Sequence, residues 1–154
     1  MPQIQAVLLC LHALAAAFWV GGMAVISFAV RPAAVQTLEP PLRLALLAAV
    51  LRRFFSGVVW AIVLLLVSGA AMIILAGGLN HAHWSVHAML ALGLGMVLVF
   101  VQLRLGPGVR LQKAVTRREW ALAAAQLALI RQRVLINLVL GCVVFAVAII
   151  ARTF

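Results

Sequence analysis

Four stretches of this chain lack charged side chains, and their spacing predicts its architecture. No charge occurs from Met1 to Val30, and the apolar run over 4–30 exceeds the roughly 20 residues a helix needs to cross a bilayer. A second uncharged stretch runs from Phe54 to Leu103. It is too long for one span, and the polar segment GGLNHAH (Gly77 to His83) divides it. Spans over 54–76 and 84–103 result, and a further one covers 134–151. The pattern predicts an all-α, integral membrane four-helix bundle forming a single domain over 1–154. The first stretch is expected to be a retained helix rather than a cleaved leader. No basic segment precedes it, and it outruns the apolar core of a leader.

The connections between spans also have helical composition. After Pro40 and Pro41 the stretch LRLALLAAVLRRFF is expected to run into the second span, with proline suited to the first turn. GPG at Gly106 to Gly108 is expected to break the chain after the third span. From Thr116 the sequence TRREWALAAAQLALIRQR favours helix again, and Thr116 with Glu119 has capping-box spacing.

Composition agrees with this reading, since 68% of residues are apolar and only 9% charged. Soluble domains carry about a quarter charged residues. Twelve Lys and Arg against two acids give a formal net charge of +10. On four spans, eleven of the twelve basic residues fall on one side, and only Arg152 lies on the other. The positive-inside rule then predicts a bacterial cytoplasmic (inner) membrane protein with both termini on the outer, periplasmic side. The charge is thereby accounted for without nucleic acid. Cys10 and Cys142 form no paired motif, and Cys10 is read as packing. No serine or cysteine nucleophile constellation, carboxylate pair or phosphate-binding glycine loop is present, which excludes hydrolytic and kinase chemistry.

Candidate chemistry lies in polar groups at membrane depth. His12 is expected about 12 Å below the outer end of the first span, and His87 at about 5–10 Å in the third. Ionisable groups in membranes usually face the bundle interior, and imidazole is a common ligand for copper and haem iron. The bland alternative is that each histidine hydrogen-bonds a neighbouring helix. His83 and His87, four residues apart, would share a helix face and with His12 would form a three-imidazole site. His81 is expected to be solvated. Met72, Met89 and Met23 are apolar filler or, as thioethers, ligands for Cu(I). Trp19 shares the face of His12. Gly21, Gly22, Gly69, Gly93 and Gly95 suit close packing or a slot for a macrocycle. Arg52 and Arg53 are snorkelling anchors, or a pair that holds phospholipid or a substrate carboxylate. Asn137 suits an interhelical hydrogen bond.

The stretch LHALAAAFWVGGM (Leu11 to Met23) resembles the first helix of copper resistance protein D membrane domains, with its histidine followed by a Trp-x-Gly-Gly-like sequence. LRRFFSGVVWAIVLLLVSG (Leu51 to Gly69) resembles the same family, with arginine and aromatics leading to a small-residue end. In size and topology the chain is also similar to HemJ-type protoporphyrinogen oxidases, which share the first-helix histidine and an Arg-Arg pair. The first resemblance implies copper uptake or resistance, the second haem b binding and porphyrinogen oxidation. Either implies a role for His12 as ligand or gate and for Arg52 and Arg53 as the basic pair. Both families place a lysine early in the third helix, where this chain has His87. The proline-arginine-leucine-phenylalanine signature of the second is replaced by FAVRPAAV.

Three expectations follow. The preferred one is copper handling, with His12, His87, His83 and Met72 as metal ligands and a periplasmic copper partner. The alternative is a haem b redox protein with a redox partner, in which His12 and His87 are axial ligands and Trp19, Arg52 and Arg53 complete the cofactor site. The third is a non-catalytic accessory subunit of a homo-oligomer or larger membrane complex.

Overall fold

The computed structural model describes residues 2–151, with side chains from Gln3 onward. Four helices, Gln3–Thr37, Pro40–Leu75, Trp84–Thr116 and Trp120–Ile150, are each long and apolar enough to cross a membrane. Among the described residues there is no strand. The first comprises α1 (Pro2–Val25), a π-helical turn (Ile26–Val30) and α2 (Arg31–Thr37). The second is α3 (Pro40–Leu75). The third comprises α4 (Trp84–Leu103), a π-helical turn (Arg104–Gly108) and α5 (Val109–Thr116), and the fourth is α6 (Trp120–Ile150).

Each helix reaches beyond the charge-free span on its basic side. From Phe54 to Leu75, α3 rises about 33 Å, enough for the hydrocarbon core, so Pro40 to Arg53 stands clear of it. The GPG motif does not break the chain. A proline inside a helix lacks an N–H and crowds the carbonyl four residues back. Here Pro107 sits within a widened π turn, and Pro32 directly follows the other one. A Cβ at Gly108 would stand 3.0 Å from the Leu103 carbonyl oxygen, so glycine lets the widened turn close. The expected capping box is likewise not formed. Thr116 belongs to the end of α5 and its hydroxyl donates to the Gln112 carbonyl at 3.0 Å. The chain turns at Arg118 (φ 59°), and α6 starts after Glu119 without a side-chain cap.

α3 ends where the sequence breaks at Gly77. Both Gly77 and Gly78 have φ near +95° (94° and 96°), which favours glycine. The Gly78 amide bonds the Ile73 carbonyl at 2.9 Å and the Gly77 amide bonds that of Ile74 at 3.1 Å, satisfying the last carbonyls.

α1 packs mainly against α3 and secondarily against α6, while α4 packs mainly against α6. α1 and α3 approach through a reciprocal lock. Phe54 of α3 fills the space beside Gly22 of α1, and Phe18 of α1 fills the space beside Gly57 of α3. The rings of Phe18 and Phe54 lie 6.0 Å apart. The chain of rings continues through Phe55 to Phe100, edge-on at 5.6 Å, and on to Trp19 at 6.0 Å. On the other side, Gly141 admits Val20 and Met96. Nearby, the Asn137 side-chain amide donates to the Met96 carbonyl at 3.1 Å, the expected interhelical bond. Gly21, Gly93 and Gly95 face open space instead.

The core is concentrated in the half of the bundle nearer the basic connections. It includes Trp19, Met23, Leu51, Phe55, Val58, Met96, Phe100, Leu111 and Ile130. In the opposite half, α1 before Ala15 and α6 beyond Gly141 contain no buried residue among those described. There, α3 beyond Ile62 buries only Ser68, and α4 before Met96 only Ser85. The helices are tight at one end and splayed at the other.

The lock predicts opposite outcomes at adjacent glycines. Gly22→Ala should destabilise the protein by about 1–3 kcal/mol through overpacking against Phe54. Gly21→Ala should be neutral or gain up to about 1 kcal/mol from helix propensity. Equal shifts in the unfolding of the two variants in detergent micelles would contradict the lock.

Candidate functional site

The antiparallel register set by the aromatic lock brings His12 of α1 opposite Ser68 and Gly69 of α3. From Ser68 to Leu75 the helix rises about 10 Å, so the pair lies that far below the splayed end. The His12 ring packs on Gly69, where an added Cβ would stand 3.4 Å from Cε1. His12 Nδ1 lies 2.9 Å from Ser68 Oγ. The Ser68 hydroxyl in turn reaches the Leu64 carbonyl at 2.5 Å, with the Leu65 carbonyl at 3.3 Å.

One assignment of protons satisfies every group in this chain of bonds. A serine hydroxyl has one hydrogen to donate and lone pairs to accept. A carbonyl can only accept, so the hydroxyl hydrogen of Ser68 goes to Leu64. In that assignment Ser68 Oγ accepts from His12, with the imidazole proton on Nδ1. Nε2 then carries the lone pair, while the Leu65 backbone also lies within hydrogen-bonding reach of the imidazole. An imidazole held through one nitrogen, with the other basic nitrogen free, is the usual arrangement of a metal-ligating histidine. Ser68 is 1% exposed, so its interaction is shielded from competing water. Sequence reading did not single out Ser68, because a serine four residues beyond Leu64 reads as ordinary helix back-bonding.

Met72 lies one turn beyond Ser68 on α3, and residues four apart share a face. Its half-buried side chain is thus on the His12–Ser68 side of α3, nearer the splayed end. Cys10 is exposed and lies two residues from His12 on a different face.

The other histidines do not join this site. His87 is exposed on α4 and makes no hydrogen bond or ring contact among the described residues. α4 and α1 do not pack closely and meet chiefly at the Trp19–Phe100 edge contact. His83 is the N-cap of α4, with extended backbone (φ −61°, ψ 151°). Its Nδ1 lies 3.4 Å from the Ser85 amide and 3.0 Å from the Ser85 hydroxyl. Because His83 stands outside the helix, the four-residue spacing to His87 does not put the two rings on one helical face. His81 is exposed in a short 3-10 turn, Leu79–His81. Among the described residues, no group of three or more His, Cys, Asp or Glu is placed to hold a metal ion, so the three-imidazole cluster is not formed. Trp19, 4% exposed, is a core residue against Phe100. Arg52 and Arg53 are exposed on α3 and have no ion pair among the described residues. No contact among the described residues brings His12 and His87 together as a pair.

A family model, copper resistance protein D, matches residues 48–151, about two-thirds of the chain, and the chain belongs to that family. The match takes in Ser68, Met72 and His87 and begins beyond His12. No curated protein and no solved structure matches.

The His12–Ser68 bond predicts a measurable coupling. In a double-mutant cycle of His12→Ala and Ser68→Ala, unfolding in detergent should give about 0.6–1.7 kcal/mol of interaction, the range for interhelical bonds in membranes. Additive effects would show that the two side chains do not interact.

Proposed function

We propose that the chain handles copper ions in the bacterial cytoplasmic membrane, capturing them from the outer side at His12. The observation that carries this reading is the His12 Nδ1–Ser68 Oγ–Leu64 chain, which supports a tautomer that leaves Nε2 bare. Family membership supports copper as the metal.

On this reading the eleven basic residues mark the cytoplasmic side and both termini lie outside. The splayed half of the bundle then faces the periplasm. Ions approach His12 there without crossing the packed aromatic core. Met72, one turn outward, supplies a thioether, and imidazole with thioether suits Cu(I). Ser68 is a positioning residue that keeps the imidazole in its ligating tautomer. Two protein donors favour transient capture and hand-over over storage, with a periplasmic copper-carrying protein as the source or recipient. Arg52 and Arg53, exposed at the inner edge, serve as interfacial anchors.

The reading is tested by Cu(I) affinity of the bilayer-reconstituted protein, measured by competition with a chromophoric chelator. His12→Ala should abolish the high-affinity site. Ser68→Ala should weaken it by about 10–100-fold, as loss of an orienting partner does. Met72→Leu should weaken it less, and His87→Ala should leave it unchanged. Wild-type affinity in His12→Ala, or loss in His87→Ala alone, would overturn the assignment.

A further inference from the structure

A groove runs between the first helix and α6, and Leu47 and Leu51 of α3 close its inner end. Its inner part is lined by the π turn (Ser27, Phe28), by Ile130 and by two arginines, Arg31 and Arg131. Its outer part is lined by Val139, Cys142 and Ala146. Phe28 and Leu135 line both parts, so the two adjoin. The π turn ahead of Pro32 lies at this level, and small residues on α6 (Cys142, Ala146) leave room in the outer part.

The groove has polarity matched to its depth. Both arginines stand at its inner end, at the level where the charge-free spans stop. From Arg131 to Cys142, α6 rises about 16 Å, close to half of the roughly 30 Å hydrocarbon core, which is the depth of one leaflet. Neither guanidinium group has an ion pair or a hydrogen bond among the described residues. A second copy of this chain is a poor source of the missing anion, since the sequence holds only Glu39 and Glu119 as acids. A two-fold contact across this face would bring like-charged arginines together.

We propose that the α1–α6 groove binds an anionic phospholipid of the basic-side leaflet. Its phosphate sits between Arg31 and Arg131, and one acyl chain lies along Phe28, Leu135, Val139 and Cys142. Basic pockets between spans on this side hold anionic headgroups through charge-assisted bonds. The site is separate from His12 and does not depend on copper chemistry.

The full-length protein, purified in detergent and stripped of lipid, is titrated with phosphatidylglycerol or phosphatidylcholine and read by native mass spectrometry and thermal stability. Wild type should retain phosphatidylglycerol about tenfold better than phosphatidylcholine, given two cations beside the headgroup. Arg31→Gln/Arg131→Gln should lose that preference, while Arg52→Gln/Arg53→Gln, with the same change in charge, should keep it. Val139→Trp, which fills the groove and leaves its charges, should also lose retention. Glycerol phosphate alone should not protect. The proposal is overturned if both arginine pairs behave alike, or if glycerol phosphate protects as well as the lipid. It is equally overturned if Val139→Trp splits a dimer while lipid retention is unchanged.

Discussion

Phe54 set against Gly22 and Phe18 set against Gly57 hold α1 and α3 at one distance and in one register, and the site depends on both. Lipid chains are as apolar as leucine, so helices in a membrane gain little from hiding apolar surface from each other. Close packing and hydrogen bonds have to position them. Glycine on each helix admits an aromatic ring from the other, which excludes neighbouring registers. Further along the same seam this register presents His12 to Ser68 and lays its ring on Gly69. A slip by one residue would turn the imidazole away from the hydroxyl and leave both polar groups exposed to hydrocarbon, a costly outcome.

Much of this was legible in the sequence, and the failures have identifiable physical causes. The four spans follow from long uncharged runs, because bilayer thickness sets helix length directly. Asn137 was recognisable because a lone carboxamide at membrane depth needs a partner, and the Met96 carbonyl supplies it. The third helix was expected to stop at Gly106 because proline usually ends a helix in water. In this bundle a π turn absorbs Pro107, so the helix runs on to Thr116. His87 matched His12 in depth, but depth does not determine which way a side chain faces. His87 is exposed where the helices splay, and α1 and α4 barely meet, so nothing brings its ring to His12. Ser68 carried no sequence signal because its role comes from a partner 56 positions away.

The two ends of the bundle carry different kinds of information. At the basic end the helices project past the membrane and are tied by polar contacts, including Gln112 Nε2 donating to the Ala48 carbonyl at 2.8 Å and Arg104 reaching the Phe55 carbonyl at 3.4 Å. That end is tightly packed and carries most of the positive charge. At the other end, side-chain packing between helices is sparse and the His12–Ser68 bond is the principal polar link between spans. Loosely packed elements open at low free-energy cost, which suits a place where an ion must enter and leave.

The central claim is that His12 holds its proton on Nδ1 and presents Nε2 as a free ligand. Nitrogen NMR of histidine-labelled protein in bilayers reads this directly, with His12→Gln identifying the resonance. At neutral pH the account predicts a protonated Nδ1 and a bare Nε2, and the Nε2 signal alone should shift when Ag(I), a redox-inert stand-in for Cu(I), is added. A proton on Nε2, or an Nε2 signal indifferent to Ag(I), would contradict it.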